Sequence, residues 1–302
     1  MPELQLTHPV HTLEGVELLP AGTVMRPAVW DELLAGRTLQ SGEETYLMGY
    51  GTIRRDILDF IKQAPYETIL GNEQERVEVL KEVARVRVPP HLLAYFDFFK
   101  DYDLYTYFHI LKVFVLSTRL AEILAGSTEE MRLESAAGPL HDLGKACIPL
   151  SILNKTSPLS SAERKALEHH SAAGYVLLGY HLGDPRGFFP KVAKEHHERR
   201  DGSGYPLGIK LSDSMVEIIT ICDIYDALLS PRPYQPTPYD NRSALEAISD
   251  LAREGKLSWE AVKALVSCNR QPRPDYRELT ISEIKRGAPP EDSVYGITAE
   301  GD

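Results

Sequence analysis

The chain has 302 residues, 43% of them hydrophobic and 25% charged, which is long enough for two folded domains and too apolar for a disordered protein. Its formal net charge of −11 disfavours a broad nucleic-acid or membrane surface, because those partners need a positive field over the contact area. Three scattered cysteines without a CxxC pair, and no visible export signal or apolar span, predict a protein of the reducing cytoplasm. The oligomeric state is left open.

Residues 1–100 are predicted to form a small mixed α/β domain, with a Gly-rich opening that favours strands and with helical stretches after it. Pro89 and Pro90 mark a break, since a proline pair cannot continue a helix. This segment contains no motif with a recognisable chemistry. Its role is therefore open, and regulation is one interpretation.

From residue 101 to residue 270 the pattern changes to successive amphipathic helices, so we predict an all-α domain there and a C-terminal extension at 271–302. The first helix ends near Gly126 and carries on one face His109, Val113, Leu116, Leu120 and Ile123. Further helices are predicted over 191–198, 213–229, 243–254 and 258–267.

Two capping boxes predict additional helix starts in this domain. Ser127 with Glu130 opens a helix toward Leu140, which Gly144 follows. Ser160 with Glu163 opens a helix that is predicted to carry His170.

Adjacent pairs of metal-ligating residue types stand out in the all-α segment. His141 and Asp142 lie in the string HDLGK, and His196 and His197 lie in HHERRDGSGYP. Neighbouring helix residues point about 100 degrees apart, so both members of a pair reach one site only across their shared edge. A metal centre favours such crowding, because metal bonds offset the desolvation of several polar groups.

Each of these residues taken alone has a simpler interpretation. A single histidine on an apolar helix face, such as His109 or His170, is more often a hydrogen-bonded core residue than a ligand. Asp223, in CDIYDALLS, fits a helix cap or an ion pair equally well. Their joint occurrence favours a metal site.

The strings HDLGK, HHSAAG, HHERRDGSGYPLG and CDIYDALLSPRPYQ, in this order, resemble the motif set of the HD-GYP subgroup of the HD phosphohydrolase superfamily. The resemblance covers about residues 103–267, a little over half of the chain. It implies an all-α HD-type catalytic domain and a metal-dependent phosphodiesterase. The substrate that it implies is a cyclic dinucleotide, usually cyclic di-GMP, cleaved to linear pGpG and in some cases to GMP.

The resemblance also implies a set of metal ligands, in which Asp142 would bridge two ions: His109, His141, Asp142, His170, His196, His197 and Asp223. Ligands of this nitrogen and oxygen type suit iron, manganese or zinc. Because the family often uses iron or manganese, we predict two divalent ions of those elements. Two such ions can hold a bridging hydroxide and clamp the phosphate oxygens, which would make hydrolysis independent of a protein nucleophile.

In the family, the lysine of HDLGK contacts the scissile phosphate, so Lys145 joins Asp142 as a predicted catalytic residue. Without the resemblance, Lys145 would be interpreted as a solvated cation at a helix end.

The string DGSG, which precedes Tyr205 and Pro206, is by itself only a turn. In the family, the corresponding GYP loop frames the substrate and recruits partner proteins, so a signalling-protein partner is expected there. The candidate substrate-binding residues are Lys145, Arg199, Asp201, Gly202, Gly204, Tyr205, Pro206 and Arg232.

Two positions depart from the family pattern. Gln235 stands where the family often has a basic residue, so one phosphate or base contact is in doubt. Tyr105, four residues before His109, stands where members with three metals have a glutamate ligand. A neutral phenol is a poor substitute for a carboxylate, so the sequence predicts two metals and not three.

Two rival functions remain at this point. One is a catalytically weak module that binds a cyclic dinucleotide and acts through protein partners, and the intact HDLGK and GYP strings argue against it. The other is an HD-type nucleotide phosphohydrolase acting on dNTPs or guanosine tetraphosphate, and the GYP loop with the RPY string favours the cyclic substrate over it. The native metal and the choice between cyclic di-GMP and 3′,3′-cyclic GMP-AMP stay open.

Overall fold

The computed structural model of the chain describes residues 2–37, 43–126, 128, 134–232 and 237–290. The predicted capping pair of Ser127 and Glu130, and the family departure at Gln235, lie outside these described residues.

The first hundred residues combine short strands with helices, as the sequence predicts. Strand β1 (Val10–His11) pairs with β2 (Glu17–Leu19), and β3 (Thr45–Tyr46) pairs with β4 (Arg87–Val88), both antiparallel. The helices of this segment are α1 (Pro27–Ala35), α2 (Ile53–Phe60), α3 (Tyr66–Leu70), α4 (Glu73–Arg85) and α5 (Pro90–Tyr102). Pro90 is the first residue of α5. A proline is tolerated there because the backbone N–H at that position has no partner within the helix.

The rest of the described chain is helical, and its strand pairing is limited to an isolated bridge between Arg199 and Lys210. Its α-helices are α6 (Leu104–Ala125), α7 (Leu150–Leu153), α8 (Ser161–Glu168), α9 (His170–Leu182), α10 (Phe188–Glu195), α11 (Ser214–Leu229), α12 (Asn241–Arg253) and α13 (Trp259–Cys268). Side chains of Asp213, Asp240 and Ser258 cap three of them. The predicted all-α HD-type fold, preceded by a mixed segment, is confirmed.

The sequence prediction was wrong about the local structure around the HDLGK string. In place of a helix running to Leu140, short 3-10 helices at Gly138–Leu140 and Leu143–Cys147 flank His141 and Asp142. Pro139 supplies a physical reason, since it removes a backbone donor and its ring obstructs a continuing α-helix.

Two helix boundaries near the histidines also differ from the prediction. The capping box of Ser160 and Glu163 is present, but α8 ends at Glu168, and His170 is the first residue of the next helix, α9. The helix predicted over 191–198 is displaced to α10, so His196 and His197 follow its last residue. Both pairs of ligand types therefore lie at helix ends, where the chain changes direction.

One connected hydrophobic core runs through the described chain from Leu4 to Leu279, and α6 and α11 pack against each other within it. The Trp30 indole donates to the hydroxyl of Tyr175 at 3.1 Å, and Arg273 donates to a carboxylate oxygen of Glu75 at 2.7 Å. These contacts join the three predicted segments, whose boundaries stay predictions. Within the described ranges, no helix is both long and apolar enough to cross a membrane.

Candidate metal centre

The seven predicted metal ligands, which span more than a hundred residues of sequence, converge at one place. They come from α6, the HDLGK turn, the start of α9, the end of α10 and the middle of α11. Their ligand atoms form two groups, within each of which all atoms lie within 4.8 Å of one another: Asp142, His170, His196 and His197 in one, and His109, His141 and Asp223 in the other. All are buried except His197, which is partly exposed.

A close approach of backbones brings the HDLGK turn against α9. A β-carbon at Gly144 would lie 2.0 Å from the carbonyl oxygen of His170 and 2.3 Å from the amide nitrogen of Gly174. No side chain fits at this position, so glycine is required for Asp142 and His170 to lie side by side. The glycine that was predicted to follow a helix end is therefore a packing residue.

Backbone carbonyls fix the orientation of three histidine rings. Nδ1 of His141, His170 and His196 donates, in that order, to the carbonyl oxygens of Gly138 (2.6 Å), Leu167 (2.6 Å) and Val192 (3.1 Å). A carbonyl can only accept, so Nδ1 of each ring carries a proton, and Nε2 is the nitrogen that faces the centre. This arrangement is typical of metal-binding histidines.

The fourth ring is held by a carboxylate that the sequence analysis missed. Nδ1 of His109 lies 2.7 Å from Oδ2 of Asp226, and the hydroxyl of Tyr66 donates to the other oxygen of that carboxylate. Burial would raise the pKa of Asp226, but Lys112 and His109 hold it at about 2, so the group is ionised. The spacing of Asp223 and Asp226 on one helix face was the available indication, because residues three apart are neighbours.

Asp142 lies between the two groups, and each of its oxygens faces one of them. Oδ1 is 3.3 Å from Nε2 of His170 and 3.8 Å from Nε2 of His196. Oδ2 is 3.5 Å from Nε2 of His109 and 3.4 Å from Nε2 of His141. A carboxylate in this position can serve two cations at once.

Three of the histidines fit divalent cations better than they fit their neighbours, whereas Nε2 of His109 lies at hydrogen-bond distance, 3.0 Å, from Oδ1 of Asp223. Nε2 atoms of His170 and His196 face each other at 3.3 Å, although both rings carry their proton on Nδ1. Nε2 of His141 is buried without a well-formed hydrogen bond to any described residue. Burial lowers the pKa of His170 to about 4 and that of His196 to about 3, so these rings are neutral near pH 7. Converging lone pairs and buried carboxylates are the donor set of a transition-metal site.

Positive charge lies beside this centre. Nζ of Lys145 is 2.5 Å from Oδ2 of Asp142 and 5.9 Å from the ring centre of Tyr105, and the guanidinium of Arg232 lies 5.3 Å from the same ring centre. Burial would lower the pKa of Lys145, but Asp142 raises it above its ordinary value, so the ammonium is charged. The Tyr105 ring stacks on His109 with 5.6 Å between ring centres and 10° between planes.

The predicted GYP loop meets the centre at one end and solvent at the other. A β-carbon at Gly204 would lie 2.3 Å from the carbonyl oxygen of His197, and the next ring, Tyr205, stacks on His197 with centres 4.6 Å apart. Gly202 has a positive φ of 84°, and the peptide bond before Pro206 is cis. Close packing thus places Tyr205 against a predicted ligand.

The two charged candidate binding residues of this region bond to different partners. The exposed Asp201 accepts hydrogen bonds from the amide and hydroxyl of Ser203, whereas Arg199 donates to the backbone carbonyls of Glu198 at 2.9 Å and His196 at 3.5 Å. Their roles stay predictions.

Glu198 was not singled out from the sequence, although it holds the loop in place. Its fully buried carboxylate accepts from the amides of Leu207 at 2.7 Å and Ile209 at 3.0 Å. A glutamate directly after the paired histidines was the only indication in the sequence. Backbone donors that reach it from about ten residues away cannot be anticipated from a pattern.

A model of the HD domain family matches residues 105–257, a little over half of the chain. The cyclic di-GMP phosphodiesterase response regulator RpfG of Xanthomonas campestris is 42% identical over 121 residues, which cover 38% of this chain and 31% of that protein. A cyclic di-GMP phosphodiesterase of Thermotoga maritima is 35% identical over 179 residues, covering 58% of this chain and 48% of that protein. The 3′3′-cGAMP-specific phosphodiesterase 3 of Vibrio cholerae is 37% identical over 144 residues, covering 47% and 31%.

This chain thus spans less than half the length of each of these three relatives. All seven converging side chains lie inside the matched range. The chain therefore belongs to the HD domain family, in agreement with the HD-GYP motifs of its sequence.

Proposed function

We propose that this chain is a metal-dependent phosphodiesterase that hydrolyses a cyclic dinucleotide. The main substrate that we propose is cyclic di-GMP, which would be cleaved to linear pGpG and, in a second cleavage, to GMP. The observation that carries the proposal is the position of Asp142, whose two oxygens face two separate groups of ligand atoms. The names of the relatives support the substrate class.

The two groups of side chains would hold two divalent ions, iron or manganese, with Asp142 between them. Bound there, the ions would supply Lewis-acid charge to a phosphate and lower the pKa of a coordinated water. Zinc would also suit nitrogen and oxygen ligands, so the donor set leaves the element to experiment. Tyr105 offers no carboxylate beside His109, which favours two ions over three.

The chain's own residues position the phosphate and balance its charge. Lys145 and Arg232 lie on the Tyr105 side of the centre. There, an ammonium and a planar guanidinium can stabilise the negative charge that develops on the phosphate oxygens. The carbonyl and Asp226 partners lock the histidine rings, so little reorganisation accompanies ligand binding.

The cellular setting is part of the same proposal. Cys147, Cys222 and Cys268 are free thiols, which suits a reducing cytoplasm. The solvent-facing part of the GYP loop, around Asp201, is the surface that we propose for a signalling-protein partner.

The decisive experiment is purification without oxygen, followed by metal analysis and chromatography of the products. We expect about two metal ions per chain. We expect cyclic di-GMP to yield a linear dinucleotide. The same assay with 3′,3′-cyclic GMP-AMP shows which of the two cyclic dinucleotides is cleaved faster. Protein that is fully loaded and reduced, binds cyclic di-GMP and yields no product would overturn hydrolysis in favour of a binding module. Faster cleavage of dGTP or guanosine tetraphosphate would instead indicate a general nucleotide phosphohydrolase.

A further inference from the structure

A cavity of about 680 Å³ lies between α2, in the segment before the HD domain match, and α6, inside it. One wall carries Asp59, Phe60 and Gln63, and the other carries Tyr105, Phe108 and Arg232. The first wall comes from residues outside the matched range of 105–257, so nothing in the family match accounts for it.

Tyr105 connects this cavity to the metal centre. The Tyr105 ring stacks on His109 and also lines the cavity. Arg232 contacts the same ring and lines the same cavity. A phosphate held at the metal centre near Lys145 would therefore direct an attached nucleoside into this space.

The walls have the chemistry of a nucleobase site. Two partly exposed aromatic rings, Tyr105 and Phe108, can stack on the face of a base, and the buried Phe60 adds apolar surface to the lining. Arg232 and Lys112 add positive charge, which offsets the charge of an anionic nucleotide. The cavity also needs polar groups that read the edge of the base, and two candidates lie on α2 and just after it.

Of the two aspartates in the cavity, only Asp59 is available to a ligand. The carboxylate of Asp56 is committed to the structure, because one of its oxygens accepts from Tyr107 at 2.7 Å and from Lys100 at 3.0 Å. The side chain of Asp59 is 63% exposed, and its ion pair with the exposed Lys62 is long, at 3.8 Å. Exposed ion pairs contribute little to stability, so a ligand can replace Lys62 as the partner of Asp59.

We propose that Asp59 is a specificity-determining residue that recognises guanine, with Gln63 beside it, and this inference rests on the proposed function. A carboxylate only accepts hydrogen bonds, and guanine presents two parallel donors, N1–H and the N2 amino group, on its Watson–Crick edge. Adenine presents an acceptor at N1, which a carboxylate repels. The segment before the HD domain thereby selects the base while the HD domain holds the phosphate.

The test compares Asp59→Asn with the wild-type, metal-loaded full chain on cyclic di-GMP and cyclic di-AMP. We expect the KM for cyclic di-GMP to rise about tenfold, the effect of losing one charge-assisted hydrogen bond, while the KM for cyclic di-AMP does not rise. Asp101→Asn is the matched control, since Asp101 is an exposed aspartate on α5 that does not line the cavity. Gln63→Ala, with the exposed Gln74→Ala as its control, should give a smaller rise in KM.

The outcomes separate this inference from the proposed function. If the wild type cleaves cyclic di-GMP and Asp59→Asn matches Asp101→Asn in KM and in base preference, the guanine site is wrong and hydrolysis stands. A wild-type preference for cyclic di-AMP would also overturn the guanine site. If the wild type yields no product, hydrolysis fails, and calorimetric titration with cyclic di-GMP decides the site. Binding about tenfold weaker in Asp59→Asn supports it, and equal or absent binding overturns it.

Discussion

The metal centre and the neighbouring cavity differ in how their side chains are held. His141 is fully buried and donates to a backbone carbonyl at 2.6 Å, whereas Asp59 is 63% exposed and has only a long surface ion pair. A metal ion requires ligand positions that are fixed before it binds, because displaced ligands weaken every bond of the site. A base-reading group can be exposed, since it contributes only hydrogen bonds to one edge of the base. In the proposed function, chemistry and base selectivity are therefore supported by different parts of this chain.

Removal of the carboxylate that faces both ligand groups should disrupt the metal centre most. Asp142→Ala should abolish binding of both ions and lower turnover by about a thousandfold or more, because buried histidine lone pairs then lose the negative charge between them. Metal analysis and product chromatography measure the two effects, and circular dichroism should show nearly unchanged helix content. Full metal content in this variant would contradict the assignment of the site.

Lys145→Ala tests whether charge beside the centre acts in the transition state. We expect both ions to remain and kcat to fall by about a hundredfold, with a smaller change in KM, since the ammonium stabilises developing charge more than bound substrate. Steady-state kinetics with parallel metal analysis separates the two effects. A rise in KM with unchanged kcat would reduce Lys145 to a binding residue.

Asp226→Asn weakens the metal centre without touching an ion directly. The amide keeps the shape but loses the charge that orients His109, so metal affinity should fall by about ten- to a hundredfold. Titration of chelator against loaded protein measures this loss, and excess metal should restore most of the turnover. Asp101→Asn, at an exposed position on α5, serves as the control. Unchanged affinity would show that the carbonyl-held histidines suffice.

Gly144→Ala tests the backbone packing that supports the metal centre, and we expect it to affect the chemistry less than the preceding substitutions do. An added β-carbon must displace backbone of α9, which we expect to lower the free energy of unfolding by about 1–3 kcal/mol and to loosen metal binding. Gly36→Ala is the control, because its β-carbon would meet nothing closer than 3.9 Å and its φ of −83° suits alanine. Equal unfolding midpoints in urea for the two variants would disprove the close approach.

The helical architecture after residue 100 and the residue types that meet in the centre could be predicted from the amino-acid sequence alone. Helical period and capping are local properties, so α11 and the Ser160 cap were predicted from neighbouring residues alone. The ligand set came from residue types in a fixed order, which a family resemblance can transfer. Those ligands are the side chains that the fold brings together.

The arrangement of these groups in space could not be predicted from the sequence, because it depends on tertiary packing. The division into two ligand groups, the two-sided position of Asp142 and the support of His109 by Asp226 depend on distances across helices that are far apart in sequence. The close approach at Gly144 depends on the packing of α9 against the HDLGK turn, whereas the interruption at Pro139 is a local effect that the sequence could have indicated. The α2 wall of the cavity carries no sequence motif. A role for the exposed Asp59 could not be predicted, because the sequence does not show which residues lie opposite it.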